Sequence, residues 1–101
     1  MKGRKPTAEE QRHMDRVRAI GCIVCLLHLN EHTPAAIHHM DGKTKPFAHF
    51  KTLGLCFHHH QGGANSGLYV SRHPWKAEFE KRYGSEKYLM EQTEQLLERA
   101  E

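Results

Sequence analysis

No segment of this sequence is long and apolar enough to cross a membrane, and no signal-peptide pattern opens it. Cysteine is scarce and odd in number: three residues cannot all pair with one another in disulfides. The reading is therefore a cytoplasmic chain in a reducing compartment, with its cysteines used as metal ligands. Aromatic residues are few, at 8%, and hydrophobic residues reach only 38%. That is lean for a core but above the disordered range. The 101 residues make one domain, 1–101. A domain of that size buries only about 60–68% of its unfolded surface, so an internal cross-link would help it. A strong excess of one charge is also missing. The net charge of +3 is compatible with a polyanionic partner without requiring one.

Histidine is what the sequence has in excess. There are ten, and they include the runs His38-His39 and His58-His59-His60. Purification tags sit at termini, whereas these runs are internal and flanked by apolar residues. His13, His28 and His32 stand apart and read as surface residues.

Along the chain, residues 1–7 are basic, contain Gly and Pro, and read as a flexible arm. Thr7 and Glu10 have the spacing of a capping box, which predicts a helix over 8–19 with Met14, Val17 and Ile20 at helical spacing and Gly21 ending it. The apolar stretch 22–29 is followed by a polar turn at 30–34. A strand is predicted over 35–40, a loop with strong turn chemistry over 41–46, and a second strand from 47 to 55. Residues 56–60 open a helical turn, and 61–67 form a glycine-rich break. Pro74 suits the first position of a helix reaching 83. A last helix over 86–100 carries Tyr88, Leu89, Leu96 and Leu97 on its apolar side.

Zinc prefers four soft or borderline donors in a tetrahedron, and two pairs at C-x2-C-like spacing can each hold one side of it. Cys22 and Cys25 make the first such pair; Cys56 and His59 make the second. The plainer reading is three buried cysteines packing as small hydrophobes. The matching second pair favours zinc. A site with all four positions filled by protein is structural and does no chemistry.

The segments Gly-Cys-Ile-Val-Cys at 21–25, Ile-His-His-Met-Asp-Gly-Lys at 37–43 and Leu-Cys-Phe-His-His-His at 55–60 resemble zinc-containing His-Asn-His endonucleases. More narrowly, the chain resembles the phage and prophage family of recombination-enhancement, RecA-dependent nucleases. Residues 68–84 are similar to that family's downstream block. The resemblance implies an α+β fold: a small zinc-stapled ββα-metal (His-Me finger) core with flanking helices. It also implies that His38 ligates a catalytic divalent metal (Mg2+, Mn2+ or Zn2+), that His39 is the general base, and that His60 is a second metal ligand.

The third ligand is open between Asn65, nearer the place used by many relatives, and His73. Imidazole is the better ligand for a transition metal, which favours His73. The middle asparagine of the class has no clean match, and His49, in the second strand, is the candidate to orient the base. Asp41 reads as a turn residue, with a supporting role behind the metal as the alternative. On its own, the adjacent pair His38-His39 would point to opposite faces of a strand, one buried and one exposed.

Phosphate contacts are expected from Lys43, Lys45, Arg72 and Lys76, which lie near the metal residues in sequence, with Trp75 able to stack on a base or sugar. Lys2, Arg4 and Lys5 would add sequence-independent attraction. The function implied is hydrolysis of DNA phosphodiester bonds in phage recombination or DNA processing, with DNA and a RecA-like filament as partners. The alternatives are a non-catalytic zinc module that docks nucleic acid or protein, and a histidine-rich metal-handling protein. Since imidazoles ligate only when neutral, activity is expected to fall below about pH 6.5.

Overall fold

The first helix begins where its sequence caps it. In the computed structural model, which describes residues 5–40 and 48–99, Glu10 N donates to Thr7 Oγ1 at 3.2 Å and Thr7 N donates to Glu10 Oε1 at 2.9 Å. This reciprocal box starts α1, Ala8–Ile20. Met14 and Val17 are buried along it, and Ile20 is half-buried. Most of the basic arm, with Lys2 and Arg4, the loop carrying Asp41, Lys43 and Lys45, and Ala100 lie outside the described residues.

Gly21 ends α1 at φ 85°, a left-handed value that favours glycine, and a Cβ there would sit 2.5 Å from Thr33 O. Its own carbonyl oxygen comes so close to Gly54 that a Cβ on Gly54 would lie 2.4 Å from it. The two glycines thus let the first turn of the chain lie directly on the sheet.

A second helix, α2 (Ile23–Leu29), follows at once, with Cys22 as its N-cap: Cys25 N donates to Cys22 Sγ at 3.4 Å. It closes on Asn30 in the left-handed region. β1 (Ala36–His39) pairs antiparallel with β2 (Thr52–Leu55) in the register Ala36↔Leu55, Ile37↔Gly54, His38↔Leu53 and His39↔Thr52. Directly opposed residues share a face, so His38 stands beside Leu53 on one side, and His39 beside Thr52 on the other.

The second strand is shorter than its sequence suggests. Residues Ala48–Phe50 form a 3-10 turn closed by Lys51 N donating to Ala48 O at 3.2 Å, and His49 lies in that turn, not in a strand. The turn buries both Ala48 and His49, which strand alternation would have sent to opposite sides.

α3 (Phe57–His60), α4 (Lys76–Tyr83) and α5 (Glu86–Arg99) complete the described chain. Pro74 does not open α4. It follows a cis bond from His73, and the helix starts at Lys76. The cause is tertiary: Arg72 N and His73 N both donate to α3 carbonyls, those of His59 and His60, each at 2.9 Å, which pins this segment before the helix can begin. Tyr88, expected on the apolar side of α5, is 46% exposed. The helix instead buries Leu89, Thr93 and Leu97.

The fold is α+β, with one two-stranded sheet among the described residues. Leu53, Leu55, Ile23, Val24, Phe79 and Leu89 form its core together with the three cysteines. α5 packs on α1, α2 and β2, and α1 packs on β2 and the 3-10 turn. No helix among the described residues is long and apolar enough to cross a membrane.

Candidate metal centres

Two groups of metal-ligating side chains emerge from this framework. Cys22 and Cys25 open α2, Cys56 ends the strand segment as the cap of α3, and His59 lies within α3. All four are buried, and their ligand atoms lie within 4.8 Å of one another. His59 Nδ1 is 3.5 Å from Cys22 Sγ, 3.6 Å from Cys25 Sγ and 3.2 Å from Cys56 Sγ, while Cys25 Sγ and Cys56 Sγ are 3.8 Å apart. Tetrahedral zinc, with bonds of about 2.3 Å to sulfur and about 2.0 Å to nitrogen, requires edges of about 3.8 Å between sulfurs and about 3.5 Å from sulfur to nitrogen. The donors fit that cage.

Their protonation fits as well. Burial pushes the Cys22 thiol up to about 12 and raises Cys25 too, so thiolates are unfavourable there without a cation. Burial, then the positive charges of His58, Arg82 and His28, lowers His59 to about 4 and keeps it a neutral ligand. The group is a possible metal-binding site of a kind compatible with zinc, and it ties α2, the end of β2 and α3 together.

The second group consists of His38 from the end of β1, His60 from the end of α3 and His73 from the segment before α4. Their ring centres form a nearly equilateral triangle of 5.1, 5.3 and 5.3 Å. Three imidazoles radiating from one tetrahedral ion at about 2.0 Å would put their ring centres about 5 Å apart. His38 and His60 are buried whereas His73 is exposed, so the group is open on one side. Burial, followed by the charges of His38, His73 and Arg72, lowers His60 to about 4. Burial, then Arg72 and His38, lowers His73. The acid limit expected from an ordinary histidine therefore does not apply to His60, which stays neutral well below 6.5.

Asn65, the rival third ligand, lies in an exposed loop where its backbone bridges to Val70. His39 is half-buried, and its Nε2 is 3.0 Å from Nδ1 of buried His49. Arg72 is 15% exposed and its Nε is ion-paired with Glu86 at 3.1 Å. Lys76 is exposed and 3.8 Å from Glu80. Trp75, 41% exposed, donates its indole N–H to Gly63 O at 3.0 Å. His28 and His32 are exposed, as expected of surface residues. His13 is instead half-buried, edge-on to Phe50 at 5.3 Å, and burial lowers its pKa.

Glu86 is the residue that sequence reasoning missed. It is 6% exposed, and its Oε2 is 2.5 Å from His38 Nε2. Desolvation works against its charge, but its contacts to His38 and Arg72 prevail, and its pKa is lowered. Its partner lies 48 residues away, so no local pattern marks it.

A family model described as recombination enhancement, RecA-dependent nuclease matches residues 6–98. The chain belongs to that family. The family is one of nucleases, which are hydrolases, associated by its description with RecA-dependent recombination. Both candidate metal centres, the His39–His49 pair and Glu86 all fall within the matched span of this family member.

Proposed function

We propose that this family member is a metal-dependent endonuclease of the His-Asn-His class that hydrolyses DNA phosphodiester bonds during recombination. The observation that carries the reading is the second, open group of three histidines, separate from the closed Cys3His group. A structural zinc module has no use for it.

In this reading His38, His60 and His73 hold a divalent metal that, when bound, polarises the scissile phosphate and offsets charge on the leaving oxygen. The other steps belong to the chain. His39, on the other face of β1 from His38 but the last residue of that strand, takes a proton from an attacking water at the strand end, where the two faces meet. For that, its Nε2–H must donate to His49 Nδ1 across the 3.0 Å contact, leaving Nδ1 of His39 as the basic nitrogen. His49 thereby does the orienting work of the missing asparagine. The opposite polarity would protonate the base nitrogen and silence it. Arg72, Lys76, Lys43 and Lys45 contact backbone phosphates, and the Cys3His group holds a structural zinc.

Because the family is described as RecA-dependent, the test is nicking of plasmid DNA and cleavage of recombinase-coated DNA, each with and without Mg2+ or Mn2+. Metal-dependent strand breaks that disappear in His39→Ala support the proposal. Breaks that persist in His39→Ala, or no cleavage under any of these conditions, contradict it.

A further inference from the structure

A single carboxylate oxygen stands behind both the histidine group and the arginine next to it. Oε2 of Glu86, the first residue of α5, is 2.5 Å from His38 Nε2 and 3.1 Å from Arg72 Nε. The three side chains come from β1, from the segment before α4, and from the start of α5. The side chains of His38 and Glu86 are 3% and 8% exposed, and that of Arg72 is 15% exposed. Glu86 is not in the group whose ligand atoms all lie within 4.8 Å of one another, so it meets His38 from outside that group.

The chemistry of this contact is restrictive. An ionised carboxylate only accepts hydrogen bonds, so the His38 nitrogen facing it must carry the proton. That leaves Nδ1 as the His38 nitrogen with a lone pair for a metal. The same oxygen is ion-paired with Arg72 at 3.1 Å from Nε, the innermost nitrogen of its guanidinium, although that N–H is not aligned for a hydrogen bond. Among the described residues, the two terminal amino groups of Arg72 have no side-chain or backbone partner, and they are the pair suited to a phosphate.

We propose that Glu86 is a positioning residue for both halves of the site, fixing His38 in the tautomer that offers Nδ1 to a metal and tethering Arg72 so that its terminal N–H groups take a phosphate oxygen. The inference rests on the reading of the histidine group as the metal site of a nuclease. Metal ligand and phosphate arm are then set by one group and cannot shift independently. Glutamine at this position would keep the volume but present an amide that is only half acceptor, so it cannot serve both partners in the same way.

The test is a titration with Co2+ of protein already holding zinc at the Cys3His group, followed by visible absorption. Zinc content and melting temperature are measured alongside. Wild type should take one further equivalent of Co2+. Glu86→Gln should bind it about 10- to 100-fold more weakly, with zinc content unchanged. Glu86→Asp, which keeps the charge but draws the oxygen back, should recover part of that loss. Arg72→Ala, which leaves the contact between Glu86 and His38 in place, should lose less Co2+ affinity than Glu86→Gln yet weaken binding to an uncleaved DNA duplex in Ca2+. If Glu86→Gln fails to fold, Glu86→Asp carries the metal arm, and its binding Co2+ as tightly as wild type overturns the inference. A folded Glu86→Gln with wild-type Co2+ affinity overturns it as well, and so does unchanged DNA binding by Arg72→Ala. A wild-type protein that takes no second equivalent contradicts the metal reading of the histidines, and this inference with it.

Discussion

Replacing Cys22 by serine removes a metal donor while keeping the cap that this residue gives α2. Cys22 Sγ caps α2 by accepting from Cys25 N, and serine is itself a preferred N-cap, so the helix start survives the change. What is lost is one of four donors in a fully buried group that joins α2, β2 and α3. Structural zinc in small sites contributes an apparent 10–16 kcal/mol or so, while a whole domain is stable by only about 5–15 kcal/mol. Losing even about a third of that binding energy removes several kcal/mol. In a domain of this size each kcal/mol shifts the melting temperature by roughly 4–8 °C, so the expected drop is at least about 15 °C, or loss of a cooperative transition altogether. Phe57→Ser is the matched control: Phe57 sits beside Cys56 but is 67% exposed, and its replacement should change stability by no more than about 0.5 kcal/mol. The assay is bound zinc by mass spectrometry together with thermal unfolding by circular dichroism. A Cys22→Ser protein with a full equivalent of zinc and an unchanged melting temperature would refute the reasoning.

Three further outcomes are expected. Phe79 is completely buried in the core, so Phe79→Ala should cost about 3–5 kcal/mol in denaturant unfolding, and a loss below about 1 kcal/mol would mean that the core is not packed as described. His39→Ala should lower kcat by about 10²- to 10⁴-fold while metal content and DNA binding stay at wild-type levels, since only the proton acceptor is gone; a rate near wild type removes His39 from the mechanism. His73→Ala should weaken binding of the second metal and leave the zinc of the Cys3His group in place, whereas Asn65→Ala should affect neither metal. The reverse pattern, with excess metal rescuing Asn65→Ala, would make Asn65 the third ligand.

Where the sequence carries a chemical constraint locally, its structure could be read in advance. The capping box of Thr7 and Glu10 set the start of α1 correctly, and the spacing of Cys22, Cys25, Cys56 and His59 marked four residues that do converge. His38, His60 and His73 also come together, although the choice of His73 over Asn65 rested on ligand chemistry rather than on any pattern. Less visible was α2, because Ile23–Leu29 is so uniformly apolar around Cys25 and His28 that no helical period shows. His49 looked like a strand residue because a 3-10 turn has no signature in three residues. The place of Pro74 was misjudged for a tertiary reason, the two backbone bonds from Arg72 and His73 to α3. Glu86 is the clearest case: a glutamate opening a helix is ordinarily a solvated, dipole-matched residue, and only the packing of α5 on α1, α2 and β2 turns it into a buried partner of His38.

The proposed separation of a closed structural site from an open catalytic one is tested most directly by counting and placing the metals. Crystals grown with zinc and soaked in Mn2+ should give two anomalous peaks. One should lie among Cys22, Cys25, Cys56 and His59, with the absorption edge of zinc. The other should lie among His38, His60 and His73, with the edge of manganese. A single peak at the cysteines, with the three histidines empty in Mn2+ and in excess zinc alike, would contradict the proposed nuclease site.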